Sequence, residues 1–173
     1  LVENDLYRIE IDPEKGGTIT SLYSKKENKE WIDNQAGYAF NELRGNFYEE
    51  GGFLSSSSTP ANVSVEVDGA LITTVSIKGK IGRHPFTQYL TLKKGDPRID
   101  CRLIISWQGN TRIGERKETS KMQESRKTYY DDRYKLHLLF PVLPGHKQVY
   151  KNAPFDVCES KLKNTFFNRW DSI

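Results

Sequence analysis

The chain has 173 residues, a formal net charge of +3 from 26 basic and 23 acidic side chains, and 12% aromatic residues. This length is typical of one domain, and the aromatic content argues against disorder because aromatic rings bury large areas. The charges are interspersed rather than grouped in basic blocks, which does not favour nucleic-acid binding, and no apolar run is long enough for a membrane-spanning helix.

The first segments alternate apolar and polar residues with a period of two, which is typical of strands. Residues 7–11 and 19–23 follow this pattern, and the sequence between them, which includes Asp12, Pro13, Gly16 and Gly17, predicts a turn. A polar stretch at 25–29 predicts a second turn before Trp31. The opening of the chain is therefore predicted to be a β-meander.

The rest of the chain continues with strands. Residues 63–67 and 71–77 flank Asp68-Gly69, a pair that favours a hairpin turn. Further strands are predicted at 86–92, 99–107, 134–140, 149–150 and 155–158, with a flexible loop at 52–60. The polar segment 115–127 is predicted as a mobile loop, with a short exposed helix as the alternative. At least eight strands and no convincing buried helix predict an all-β antiparallel sandwich.

The strand at 99–107 has two distinct faces. Alternate side chains point to opposite sides of a sheet, so the strand has an apolar side and a charged side. We expect the apolar side to face the core; its residues are Ile99, Cys101, Leu103, Ile105 and Trp107. We expect the charged side to face solvent; its residues are Arg98, Asp100 and Arg102. The two cysteines, Cys101 and Cys158, are predicted to be buried thiols.

No pattern in the sequence indicates a reaction centre. The histidines His84, His137 and His146 lack the spacing of metal ligands, and His84 and His146 are expected in turns. There is no nucleophile elbow or phosphate-binding loop. Neither acidic pair, 49–50 or 131–132, is expected to supply the two carboxylates of a glycosidase, because neighbours in a strand point to opposite faces. Both pairs are expected to be solvated loop residues. The sequence therefore predicts no catalytic residue and no local metal cluster in this chain, and it leaves open only a site assembled from distant residues.

Two segments mix aromatic rings with planar polar groups. Sugar binding favours such mixtures, because rings stack on the apolar face of a pyranose while polar groups bond its hydroxyls. Ordinary core aromatics flanked by surface charges are the alternative interpretation. The candidate substrate-binding residues are Tyr38, Arg44, Arg169, Trp170 and Asp171.

Several motifs resemble one known family. "NDLYRIEID" at 4–12 and "GTITSLYSKK" at 17–26 resemble the start of the C-terminal β-domain of glycoside hydrolase family 38 α-mannosidases, with Ser24 where the family usually has Asp. "HPFTQYLTL" at 84–92, "PRID" at 97–100 and Trp107 resemble the central strands of the same domain. The resemblance spans nearly the whole chain, so residues 1–173 are expected to form one domain, truncated at both ends.

The resemblance implies a large antiparallel β-supersandwich of the galactose mutarotase-like type. In the family this domain follows a catalytic barrel and a helical domain, which would be its partners together with mannose-containing glycans. The catalytic part hydrolyses α-linked mannose with retention, using an aspartate nucleophile and zinc. The chain itself is expected to be inert. The Gly37-Tyr38 pair is similar to a stretch whose tyrosine reaches towards the bound mannoside.

Two other functions remain open at this stage. An independent carbohydrate-binding module would use the same aromatic and polar residues without a catalytic partner. A mutarotase-like sugar epimerase would need a general acid and a general base in one cleft, such as a histidine with a carboxylate.

Overall fold

The computed structural model describes residues 1–114 and 134–143, together with the backbone of 150–153 and 156–159. These residues form thirteen β-strands and two short 3-10 helices. In chain order they are β1 (Val2–Glu3), β2 (Tyr7–Asp12), η1 (Pro13–Lys15), β3 (Thr18–Ser24), β4 (Lys29–Glu30), β5 (Glu42–Phe47), β6 (Gly52–Ser55), η2 (Ser56–Ser58), β7 (Asn62–Asp68), β8 (Ile72–Ile81), β9 (His84–Lys93), β10 (Ile99–Ile105), β11 (His137–Leu139), β12 (Tyr150–Ala153) and β13 (Asp156–Glu159).

The strands form antiparallel sheets, which confirms the predicted all-β class. Their orders are β1-β2-β3-β4, β10-β9-β8-β7, β11-β5-β6 and the pair β12-β13. Isolated bridges from Ile19 to Phe40 and from Ile32 to Val142 connect the first sheet to segments beside the third. The predicted hairpin at Asp68-Gly69 joins β7 to β8, with Val65 opposite Val75.

One hydrophobic core draws on the first three sheets. Strand β9 buries every second side chain along its length, as its sequence pattern predicts, because one face of the strand points into the core. Neighbouring strands complete the cluster. The central core residues are Ile9, Ile19, Leu43, Phe47, Val75, Ile77, Phe86, Leu90 and Leu92. This arrangement leaves the opposite face of β5 free to carry polar side chains.

The predicted turn before β3 is held by a capped 3-10 helix. The Asp12 carboxylate accepts a hydrogen bond from the Glu14 backbone N–H at 3.0 Å, and Gly16 follows in the left-handed region with φ of 68°. A Cβ atom on Gly16 would overlap the backbone carbonyl of Ser56 in η2. A side chain is thus excluded by both conformation and space, since only glycine adopts this region at little cost.

The serine-rich segment at 52–60 is ordered, so its prediction as a flexible loop was wrong. It forms β6 and η2, and Ser56 is buried with its hydroxyl oxygen accepting a hydrogen bond from the Leu43 N–H at 3.0 Å. The Ser55 hydroxyl oxygen caps η2 by accepting from the Ser57 N–H. Serine side chains can satisfy local backbone groups in this way, which composition alone does not reveal.

The predicted apolar face of β10 is only partly covered, and the interpretation of Cys101 as a core residue was wrong. Cys101 is exposed, because β10 is an edge strand that pairs with β9 alone among the described residues, although Ile99, Leu103 and Ile105 on the same strand pack against the core. Partial desolvation raises the pKa of the Cys101 thiol, although a hydrogen bond from Gln88 Nε2 at 3.0 Å opposes this. Arg98 and Asp100 are exposed as predicted. The side chain of Cys158 lies outside the described residues.

Candidate functional site

A groove of about 550 Å³ lies between the first and third sheets. Its walls are the start of β3, the loop at 34–40, and Glu42 and Arg44 on β5, with Lys15 and Ser57 at one side. Two backbone hydrogen bonds hold the end of the loop where it joins β5. The Ile19 N–H donates to the Phe40 carbonyl at 2.9 Å, and the Asn41 N–H donates to the Leu139 carbonyl at 2.7 Å.

Two of the predicted binding residues meet in this groove. Tyr38 is 54% exposed, and the Arg44 Cζ atom lies over its ring, 5.3 Å from the ring centroid. A guanidinium over an aromatic face is stabilised by the ring quadrupole. Both partners are partly exposed, since the Arg44 side chain is 37% exposed, and an aromatic ring beside N–H donors is a combination that suits a sugar. The other three predicted residues, Arg169, Trp170 and Asp171, lie outside the described residues.

The buried carboxylate of Glu42 positions this pair, and sequence reasoning missed it. Glu42 is 4% exposed; its Oε2 atom accepts from the Ala39 N–H at 2.9 Å and its Oε1 atom from the Ser55 hydroxyl at 2.6 Å. The Arg44 Nη1 atom lies 3.6 Å from Oε1. One carboxylate therefore fixes the loop that carries Tyr38 and also orients the arginine. The only sequence signal is an acid at a strand position whose neighbour Leu43 is apolar.

A buried pair of amides holds the base of the loop. The Asn41 Nδ2 atom donates to Gln88 Oε1 at 2.7 Å, and the Gln88 Nε2 atom donates to Asn41 Oδ1 at 2.6 Å. Asn41 has φ of 68°, a region that asparagine tolerates better than most residues. The pair connects the groove loop to the central strand β9 across 47 residues of sequence.

A histidine–carboxylate pair, His84 and Glu50, lies at the start of β9, and the sequence predictions for both residues were wrong. His84 begins β9 and is fully buried, not in a turn, and the Glu50 side chain is mostly buried, not solvated. The His84 Nε2 atom lies 3.0 Å from Glu50 Oε2, while Nδ1 accepts from the Gln108 N–H at 3.1 Å. Glu50 lies in the turn between β5 and β6, so the fold brings its carboxylate to His84 across 34 residues of sequence.

The environment of this pair supports a structural role. The His84 ring stacks on Phe47 and meets the edge of Trp107, with centroid distances of 5.5 and 5.2 Å. Partial burial raises the pKa of Glu50, but interactions with Arg83 and His84 outweigh it and hold the pKa below its ordinary value. Because His84 has no exposed area and both its nitrogens are engaged, a sugar cannot reach it in this conformation.

Other functional features are limited in the part of the chain that the structure describes. Among those residues, no group of three or more histidine, cysteine, aspartate or glutamate side chains is placed to hold a metal ion. No helix among them is long and apolar enough to cross a membrane.

The fold and groove define an all-β sandwich domain with an aromatic and cationic groove on one side. Comparison with known families identifies it further, since the family described as "Glycosyl hydrolases family 38 C-terminal domain" matches residues 2–161. The chain belongs to this family. This match confirms the resemblance drawn from the sequence motifs. It also indicates that the domain is part of a glycoside hydrolase family 38 protein. No curated protein matches the chain.

Proposed function

We propose that the chain is the non-catalytic β-sandwich domain of a zinc-dependent, retaining α-mannosidase, and that the Tyr38–Arg44 groove helps to shape its substrate cleft. The observation that carries this proposal is the meeting of Tyr38 and Arg44 in one groove, in a member of a glycoside hydrolase family. The partners would be the catalytic barrel and helical domain of the same polypeptide, and mannose-containing glycans. Zinc and the nucleophile would belong to the barrel.

The groove has the chemistry that this role requires. The exposed Tyr38 ring offers a flat apolar face to a pyranose, and Arg44 and Lys15 offer N–H donors to its hydroxyls. Glu42 keeps Arg44 and the loop in place before a ligand arrives. Such preorganisation lowers the entropic cost of binding.

Kinetics in the polypeptide that joins this domain to its catalytic domain test the proposal. Tyr38→Ala should lower kcat/KM for an aryl α-mannoside by about tenfold, which corresponds to roughly 1.4 kcal/mol of lost transition-state binding. Tyr38→Phe keeps the ring and should retain most of the activity. Leu71→Ala, at an exposed turn away from the groove, is the matched control.

The same kinetics separate the proposal from its alternative. The exposed groove also suits an independent carbohydrate-binding module, which would bind mannosides but leave the hydrolysis of a small aryl substrate unchanged in Tyr38→Ala. Unchanged kcat/KM in that variant would therefore contradict a role in the cleft. The chain alone, supplied with zinc, should show no turnover of the substrate, and turnover that a chelator stops would contradict its non-catalytic assignment.

A further inference from the structure

A separate depression lies on the outer face of the second sheet and shares no residue with the groove. Its volume is about 380 Å³, which is enough for a small molecule. We call it the outer depression. The side chains that line it belong to three adjacent strands: Thr74 on β8, Tyr89 and Thr91 on β9, and Asp100 and Arg102 on β10.

Strand register places these side chains on one face of the sheet. Leu90 on β9 points into the core, so Tyr89 and Thr91 on either side of it point outwards. Arg102 pairs with Tyr89, and Asp100 pairs with Thr91. Side chains of residues directly opposite each other in antiparallel strands are close neighbours. The Arg102 guanidinium and the Tyr89 ring can therefore contact the same ligand.

The charges in the outer depression are unbalanced. Its acid, Asp100, is paired with Lys93, whose Nζ atom lies 2.6 Å from Asp100 Oδ2. The exposed Arg102 side chain has neither an ion pair nor a hydrogen bond among the described residues. Because Asp100 is already neutralised, Arg102 gives the depression a net positive charge. A free guanidinium presents a planar fork of N–H donors that matches a carboxylate.

The Tyr89 ring supplies an apolar surface beside this cation. Tyr89 is partly exposed, and no aromatic ring or cation stacks on it in the part of the chain that the structure describes. The hydroxyls of Thr74 and Thr91 bond each other at 3.0 Å beside it, and each hydroxyl has further hydrogen-bonding capacity. The depression thus combines a free aromatic ring, hydroxyl groups and an unpaired cation.

We infer that the outer depression binds an acidic sugar, a pyranose that carries a carboxylate. The carboxylate accepts two hydrogen bonds from the Arg102 guanidinium, the apolar face of the sugar ring stacks on Tyr89, and the sugar hydroxyls bond Thr91 and Asp100. A neutral sugar would leave the charge of Arg102 without a counterpart. This inference does not depend on the proposed function, because the groove and the outer depression have no residue in common.

Titration of the full chain with matched acidic and neutral glycosides tests the outer depression. The probes are the methyl glycosides of glucuronic and galacturonic acid, each compared with the neutral methyl glycoside of the same ring configuration. NMR of the Tyr89 ring and the Arg102 Nε–H group reports binding at this site alone. At least one acidic glycoside should bind there about tenfold more tightly than its neutral counterpart, because a charged hydrogen-bond partner replaces a neutral one. Equal affinities, or no saturable shift with any probe up to millimolar concentration, would overturn the inference.

Variants at the two exposed residues separate the contributions of the cation and the ring. Arg102→Gln should abolish the preference for the acidic glycoside, and Arg102→Lys, which keeps the charge without the planar fork, should retain only part of it. Tyr89→Leu should weaken binding several-fold, whereas Tyr89→Phe keeps the ring and should bind like the wild-type chain. An unchanged preference in Arg102→Gln would overturn the role of the guanidinium.

Two controls distinguish the outer depression from a simple anion site and from the groove. Sodium acetate carries the carboxylate without the sugar ring, so acetate that binds as tightly as the acidic glycoside would show an adventitious ion only and would overturn the sugar ligand. Tyr38→Ala should leave binding of the acidic glycoside unchanged. Loss of binding in that variant would assign the acidic glycoside to the groove and overturn the inference, while failure at Arg102 alone leaves the groove proposal intact.

Discussion

Replacement of Asn41 by alanine should reveal how strongly the groove loop depends on its buried amide pair. Asn41 and Gln88 exchange two hydrogen bonds of 2.7 and 2.6 Å, and both side chains are buried. Alanine would remove both bonds and leave the buried Gln88 amide with only the Cys101 Sγ atom as a partner, so that its carbonyl oxygen loses the bond from Asn41. It would also place an ordinary side chain at a φ of 68°.

The expected magnitude follows from these two effects. Leaving a buried polar group unsatisfied costs about 1–3 kcal/mol, and a non-glycine residue in the left-handed region costs about 1–2 kcal/mol. Asparagine already bears part of the second cost, so we expect Asn41→Ala to lower the free energy of unfolding by about 2–4 kcal/mol. Asn41→Gly removes the same hydrogen bonds without the conformational cost. It should therefore be about 1 kcal/mol more stable than Asn41→Ala.

Urea denaturation monitored by tryptophan fluorescence measures both variants against the wild-type chain, with equal m-values as the condition for comparing them. Gln88→Leu completes a double-mutant cycle, because the double variant Asn41→Ala/Gln88→Leu has no buried amide left without a hydrogen-bond partner. The double variant should lose less than the sum of the single losses. Additive losses, or a loss below about 1 kcal/mol in Asn41→Ala, would refute the role assigned to the pair.

Three further variants test other parts of the structure by the same denaturation assay. Gly16→Ala should cost about 3 kcal/mol or more, because it combines a left-handed φ with overlap of a backbone carbonyl, and an unchanged midpoint would contradict this. His84→Leu should cost about 2–3 kcal/mol by removing a buried partner of Glu50, and a neutral effect would show that the pair is not stabilising. The hydrogen bond from Arg98 lowers the pKa of Asp96 from its ordinary value of 3.8 to about 2, so its stabilisation is present above pH 3.8 and is lost as the pH falls through 2. The stability difference between wild type and Asp96→Asn should shrink over that window, and a constant difference would contradict the assignment.

The sequence predicted the strands well where one face of a strand is fully covered. The alternation in β9 matches its burial throughout, and the Asp68-Gly69 turn joins the predicted hairpin. The prediction was wrong for Cys101, because periodicity shows which side chains share a face but not how far the covering layer extends.

The candidate site was predictable only in part. The residue types at Tyr38 and Arg44 indicated sugar chemistry, but their contact depends on the turn at Asn41 and on the register of the third sheet. The buried acid Glu42 and the pair His84–Glu50 were missed. Their partners come from other segments of the chain, and local composition makes an acid or a histidine resemble a surface residue.

An NMR titration of the full chain with methyl α-mannoside tests most directly whether the groove binds a sugar. We expect saturable shifts that concentrate on the Tyr38 ring, the Arg44 Nε–H group and the loop at 34–40, and that disappear in Tyr38→Ala while the unfolding midpoint stays unchanged. No saturable shift up to millimolar sugar, or shifts that persist in Tyr38→Ala, would contradict the assignment of the groove as a sugar site.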